Sequence, residues 1–171
     1  MNNFYITTAI HYANAKPHIG HCFENLLADV YARYHRLQGD KTFFLTGTDE
    51  HGLKVKQKAE DNGKSPSEFV DETSEYFRQM NKDFGYSNDY FVRTTDDSHK
   101  KVAQDLWLRM VEAGDIYKDS YEGLYCVGSE SFILEKDLDE NGNVPHYGVP
   151  PVKVKEENYF FRLSKYQDWL L

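Results

Sequence analysis

Cysteine is scarce in this chain: Cys22 and Cys126 are the two thiols among 171 residues. Two cysteines build no disulfide framework, so the fold must rest on an apolar core, and the pair suits a reducing cytosol. No apolar run approaches the about 20 residues that a membrane-spanning helix needs. Positive charge is not in excess either, since the formal net charge is −8. Such a chain has no general attraction to nucleic acid, and RNA contact would require a local basic patch or a further region. The opening Met1-Asn2-Asn3-Phe4 lacks the basic and apolar parts of a signal peptide and the Arg-rich text of a transit peptide. These absences point to a cytoplasmic protein with no membrane partner. Internal repeats and low-complexity tracts are missing too. What is present is 40% hydrophobic and 28% charged residues, the balance of a globular chain with a sizeable core.

The apolar pattern predicts an α/β fold. Phe4 to Ile10 reads as a short buried strand. Ile19 to Leu37 is amphipathic, with Ile19, Cys22, Leu26, Leu27, Val30, Tyr34 and Leu37 as its expected inner face and Gly39 as its stop. Thr42 to Thr46 is a second buried strand. Strand, helix and strand with short joins imply a right-handed crossover, parallel strands and a Rossmann-like sheet. Ligands of such sheets sit beyond the carboxyl ends of the strands, which puts Ile10 to Asn14 and Gly47 to Gly52 on one rim. A helix over His51 to Asn62 follows, then one capped by Ser65 with Pro66 at its first turn and Glu68 completing a capping box. Phe69, Phe77, Met80 and Phe84 form its expected core face. Asp89 to Thr94 reads as a strand, and Ser98 to Ala113 as a helix with Val102, Leu106, Met110 and Val111 inward. The texture then changes. Ile116 to Phe132 suggests short antiparallel strands, Tyr159 to Leu163 another, and Ser164 begins a helix. The expected domains are 1–115 and 116–171.

The stretch from Tyr12 to Glu24 carries the chemistry. Two imidazoles, His18 and His21, flank Gly20 where a strand gives way to a helix. A helix start offers unpaired N–H groups and partial positive charge, so anions settle there. Three residues apart, the imidazoles share one face of the first turn and suit one phosphate group. Gly20 leaves room for something flat, such as a nucleobase, against the backbone. The plainer alternative is a surface turn with two solvated histidines. Near the second strand, Asp49 is placed to hold an ammonium group or, the reading that spacing alone favours, to cap the next helix. His18, His21 and Cys22 supply too few donors for a structural metal site.

H-I-G-H after a strand resembles the first signature of class I aminoacyl-tRNA synthetases. Its flanks are more specific: I-T-T-A-I-H-Y-A-N-A-K-P-H-I-G-H, then F-F-L-T-G-T-D-E-H-G, then E-E-N-Y-F-F-R-L-S-K-Y. Together they look like the N-terminal part of the methionyl-tRNA synthetase family. The resemblance implies that methionine and ATP, the latter with Mg²⁺, form methionyl-adenylate, and that methionine then passes to tRNA(Met). It implies His18 and His21 as catalytic donors to the ATP phosphates. Asn14, Gly20 and Glu24 join them on the ATP side, with Gly20 admitting the adenine. It assigns Asp49 to the methionine amino group, and Ile10 and Tyr12 to the walls of the methionine pocket. His11 departs from the aromatic or proline usual at its position; it either stacks or faces solvent.

The family's second signature, K-M-S-K-S, does not occur in these residues, and Ser164-Lys165 is no substitute. The expectation is therefore a fragment with little aminoacylation on its own. A nucleotidyltransferase using H-x-G-H, or a non-catalytic paralogue that binds ATP, methionine or a protein, are the competing readings. Many relatives carry a zinc knuckle where this chain has Cys126-Val127-Gly128-Ser129 and, downstream, His146. One thiol and one displaced imidazole cannot complete a tetrahedral site. The expected segment is a metal-free knuckle held by Tyr125, Phe132 and Tyr147. Elemental analysis of the purified chain should therefore find less than stoichiometric zinc, and one zinc per chain would overturn this.

Overall fold

The computed structural model describes residues 2–129 and 131–171. Met1, Glu130 and the Glu156 side chain lie outside the described residues; Glu130 falls in the stretch read above as short antiparallel strands. The chain divides into two compact units, Met1–Gln104 and Asp105–Leu171, and the join lies inside a helix, Asp97–Glu112. The boundary expected at residue 115 follows that helix.

The first unit is built on four parallel strands: β1 Asn3–Thr7, β2 His11–Tyr12, β3 Lys41–Asp49 and β4 Tyr90–Arg93. Helix α1, Ile19–Leu37, crosses from β2 to β3; α2, Leu53–Asp61, and α3, Pro66–Asp83, cross from β3 to β4. This is the expected Rossmann-like arrangement. Leu45 pairs with both Thr7 and Tyr90, and Thr48 with both His11 and Arg93. Hence β1 and β2 share one edge of β3, and β4 takes the other. Gly47 permits the close approach of β3 and β4, since a Cβ there would lie 2.0 Å from the Val92 carbonyl oxygen.

The strand expected over Phe4 to Ile10 stops at Thr7. Four residue steps separate Thr7 from His11, but three separate their partners Leu45 and Thr48. One extra residue is thus inserted, as in a β-bulge. The insertion reverses which residues point inward. Phe4, Ile6 and Thr8 turn inward before it, whereas His11 and Ala13 do so after it; Ala9, Ile10 and Tyr12 are exposed. A bulge frees backbone donors, and here the Ala9 N–H donates to Glu24 Oε1 at 2.7 Å.

Helix α1 has the expected bounds but the opposite face inward. Asn25, Ala28, Asp29 and Ala32 are buried, while Leu26, Leu27, Val30, Tyr34 and Leu37 are exposed. Small alanines let the helix lie close to Phe44 and Ile6 of the sheet. The polar residues on this face are satisfied across the interface. Asp29 accepts from the Ser87 N–H and hydroxyl, each at 2.6 Å, and from Arg33 Nε at 2.6 Å. Burial opposes ionisation of Asp29, but the Ser87 and Arg33 hydrogen bonds outweigh it and hold the carboxyl below the usual range. Helix α3 has the expected Ser65–Glu68 capping box and buries Phe69, Phe77 and Met80. Phe84 is exposed instead, because it sits beyond the last turn as the C-cap.

The helix Asp97–Glu112, α4, buries none of its residues, so Val102, Leu106 and Val111 are exposed rather than inward. In the second unit a single long strand, β5 Ile116–Cys126, replaces the several short ones expected. It pairs antiparallel with β6, Ser131–Ile133, and with β7, Val152–Phe161. β7 begins directly after Pro151, well before Tyr159, because β5 offers it a continuous partner from Tyr125 back to Ile116. The helix expected from Ser164 is a 3-10 turn over Leu163–Tyr166 followed by α5, Gln167–Leu170. Asp115, buried, anchors this end by accepting from Lys165 Nζ at 2.6 Å and Tyr166 Oη at 2.5 Å.

Asp29→Asn should lower stability by about 2 kcal/mol near neutral pH, the worth of hydrogen bonds to a buried charge. The folded carboxyl lies below its unfolded value of about 3.9, so its contribution is present above that pH and fades as pH falls through the folded value. Urea unfolding at several pH values should show the gap between variant and parent closing in acid.

Candidate active site

The helix start is capped by its own imidazoles. His18 is the N-cap of α1 and its Nδ1 accepts from the Gly20 N–H at 3.1 Å. His21 Nδ1 accepts in turn from the His18 N–H at 3.1 Å. This is a capping box in which imidazoles take the roles of hydroxyl and carboxylate. A ring nitrogen that accepts carries no proton, so each neutral ring bears its proton on Nε2. Both are thereby set as Nε2–H donors, with rings stacked 3.9 Å apart. Burial lowers the His21 pKa, reinforced by His11 and His18 and countered by Glu24, so the ring is neutral at neutral pH. Gly20 is required here for a reason beyond the flat approach expected: a Cβ would lie 2.9 Å from His18 Cε1, displacing the ring from its cap.

The bulge brings the rim together. His11, which was expected to stack or face solvent, is 5% exposed and stacks on Phe77 with centroids 5.3 Å apart. Its ring lies 4.6 Å from that of His21. The next residue, Tyr12, is the register partner of Asp49 at the carboxyl end of β3, and the Ala13 N–H donates to the Asp49 carbonyl at 2.9 Å. The imidazoles and the half-buried Asp49 therefore stand on one rim. Ile10 and Tyr12 are 37% and 46% exposed, on the solvent face of the bulged strand. Asp49 does not cap α2: the N-cap is Gly52, with no side-chain hydrogen bond.

Other expected residues are engaged differently. Glu24, expected on the ATP side, spends one oxygen on the bulge and places the other 4.0 Å from His11 Nδ1. Asn14 lines a cavity of about 220 Å³ with Lys16, Lys64 and Glu72. Behind Asp49 lies a clamp that the sequence did not reveal. Buried Glu50 accepts from Arg93 Nε and Nη2 at 2.7 and 2.9 Å, from Thr48 Oγ1 at 2.6 Å and from Thr95 Oγ1. The T-G-T-D-E string held a hint, since an acidic residue next to a buried strand needs a cation. In the second unit Cys126 is buried and its Sγ accepts from the Ser129 N–H at 3.5 Å. The Tyr147 ring covers Gly128, where a Cβ would lie 2.3 Å from Cδ1. Among the described residues, no three His, Cys, Asp or Glu side chains are grouped to hold a metal ion. None of the described helices is long and apolar enough to cross a membrane.

A parallel crossover sheet with an imidazole-capped helix start on its rim defines a Rossmann-like α/β fold. The family model for class I tRNA synthetases (M) matches residues 4–150, and the chain belongs to that family. The methionine–tRNA ligase of Thermotoga maritima is 50% identical over 171 residues, covering 98% of this chain and 27% of the ligase. That of Rhizobium meliloti is also 50% identical, covering 98% of this chain and 33% of the ligase. A solved Mycobacterium tuberculosis methionyl-tRNA synthetase in complex with methionyl-adenylate matches with a TM-score of 0.92. Its identity is 43%, over 99% of this chain and 34% of that one. The chain thus spans about a quarter to a third of the length of these relatives.

Gly20→Ala should push His18 off its cap, cost about 1 kcal/mol of stability and shift the His18 Nδ1 resonance. Urea unfolding and long-range ¹H–¹⁵N spectra of the labelled chain measure both.

Proposed function

We propose that this chain is the N-terminal part of the catalytic region of a methionine–tRNA ligase. It supplies the ATP face and the amino-group contact of the activation step. The observation that carries this reading is the pair of fixed Nε2–H donors on the rim shared with the Tyr12–Asp49 pair. The family membership and the methionyl-adenylate held by the Mycobacterium tuberculosis relative support it.

In the proposed step an oxygen of the methionine carboxylate attacks the α-phosphorus of ATP. The bond from that phosphorus to the bridging oxygen breaks, and pyrophosphate leaves. Transfers of this kind need alignment and stabilisation of charge on the phosphate oxygens more than covalent help. His18 and His21 donate from Nε2 to those oxygens as charge builds. Gly20 keeps the approach to the backbone open for the adenine, and Asn14 lies on the ATP side. Asp49 accepts from the methionine ammonium group, and Ile10 and Tyr12 wall the side chain. Glu24 serves this site through the strand it clamps. Mg²⁺ arrives with ATP, bound through the phosphates.

Residues from Ile116 onward are proposed as the start of the connective domain, with a metal-free knuckle at Cys126. The protein is proposed to act in the cytoplasm, on tRNA(Met) through regions beyond this chain.

The test is a chimera in which this chain replaces the matching part of the Thermotoga maritima ligase. It should catalyse methionine-dependent ATP–pyrophosphate exchange, and His21→Ala should slow exchange about 100-fold. An unchanged rate in His21→Ala overturns the reading. So does calorimetry in which a pantetheine phosphate binds the chain and methionine does not.

A further inference from the structure

Resting on that reading of the rim, we propose that His11 is a positioning residue. A chain of side-chain amides fixes His11 as an Nε2-protonated plate that holds His21 with its own Nε2–H aimed at the incoming phosphate.

The direction of the chain starts from a backbone carbonyl, which can only accept. Asn88 Nδ2 donates to the Tyr90 carbonyl oxygen at 3.4 Å, which turns Asn88 Oδ1 the other way. Asn81 Nδ2 donates to that oxygen at 3.3 Å. Asn25 Nδ2 donates to Asn81 Oδ1 at 2.9 Å. Asn25 Oδ1 is left facing His11 Nε2 at 3.0 Å, and as an acceptor it requires the proton on that nitrogen. Each amide's orientation is thus dictated by the one before. Asn25 and Asn81 are 1% and 6% exposed, so water does not compete for the Asn81–Asn25 and Asn25–His11 links.

The imidazole fixed in this way is a plate wedged between two others. One side stacks on Phe77, with planes 20° apart. Its ring also meets that of His21 at 4.6 Å, while Phe77 meets His21 edge-on at 5.3 Å. His21 is thereby held from behind by His11 and Phe77, and from the backbone by the His18 N–H. The remaining His11 nitrogen, Nδ1, lies 4.0 Å from Glu24 Oε2, too far for a hydrogen bond. Phenylalanine at position 11 would supply a plate, but a phenyl ring cannot donate to Asn25, so the three-amide chain would end in an unpaired acceptor. The imidazole is therefore matched to Asn25 as well as to His21.

Long-range ¹H–¹⁵N correlation spectra of the labelled chain read the protonated nitrogen of each histidine directly. His11 should show Nε2 protonated, and His21 should show Nε2 protonated with Nδ1 bare. Asn25→Leu, at a residue whose hydrogen bonds run to His11 and Asn81, should mix the His11 tautomers and displace the His21 resonances. In the chimera it should lower the exchange kcat roughly tenfold with little change in the KM for ATP, the mark of misplacement rather than lost binding. If Asn25→Leu does not fold, Asn81→Leu cuts the same chain one link further out and carries the same expectation. Asn25→Asp, which keeps an acceptor toward His11, should restore the His11 Nε2–H signal. His21 resonances and kcat unmoved while His11 tautomers mix would overturn the proposal, as would a single Nδ1-protonated His11 in the parent chain. A chimera with no exchange at all refutes the proposed function, and the spectra then decide the positioning role on their own.

Discussion

One inserted residue, and the carboxylate that clamps it, govern the rim. Without the extra residue between Thr7 and His11, inward and outward positions would continue in step from β1, and His11 would face solvent while Ile10 and Tyr12 turned into the core. The insertion leaves the Ala9 N–H without a sheet partner, and Glu24, two turns into α1, accepts from it. Strand and helix are therefore joined at the point where the side-chain alternation changes. Tyr12 beside Asp49, and His11 against His21, both follow from that join.

On this frame the polar groups of the rim are fixed by their acceptors. Backbone N–H groups hold Nδ1 of His18 and of His21, and the Asn25 amide faces Nε2 of His11. A few ångströms along β3, Glu50 is gripped by Arg93 and two threonine hydroxyls, and the Thr94 hydroxyl accepts from the Glu50 N–H at 2.9 Å. A buried carboxylate with all its lone pairs engaged keeps a strand end from fraying. Asp49, its neighbour, is thus carried on backbone that has little freedom. Preorganised donors and acceptors of this kind do not have to reorient when charge develops on a substrate.

Much of this was legible in the residues. The bounds of α1, the Ser65 capping box and the parallel crossover follow from local periodicity and caps, which depend on near neighbours. The paired imidazoles at the helix start were equally local. What escaped depends on partners distant in sequence. The bulge is visible only once Thr7 and His11 are set against Leu45 and Thr48. The inner face of α1 was misjudged because hydrophobicity marked Leu26, Leu27 and Val30, whereas contact with the sheet selected Ala28 and Ala32 for size and Asn25 and Asp29 for their bonds. The extent of β7 was hidden by Pro150 and Pro151, since a proline just before a strand removes no ladder bond. The comparisons then settled the family, which geometry alone would have left at a Rossmann-like α/β fold.

The polar underside of α1 has a consequence for how this sequence can drift. Rotating the helix by one position would bury Asn25 and Asp29 without Asn81 and Ser87, so those four side chains act as a key that admits a single seating. Substitutions among Leu26, Leu27 and Val30 leave that key untouched, whereas an exchange at Asn25 or Asn81 needs a matching change in its neighbour. Variation on the polar side of this helix should therefore be pairwise, Asn25 with Asn81 and Asp29 with Ser87.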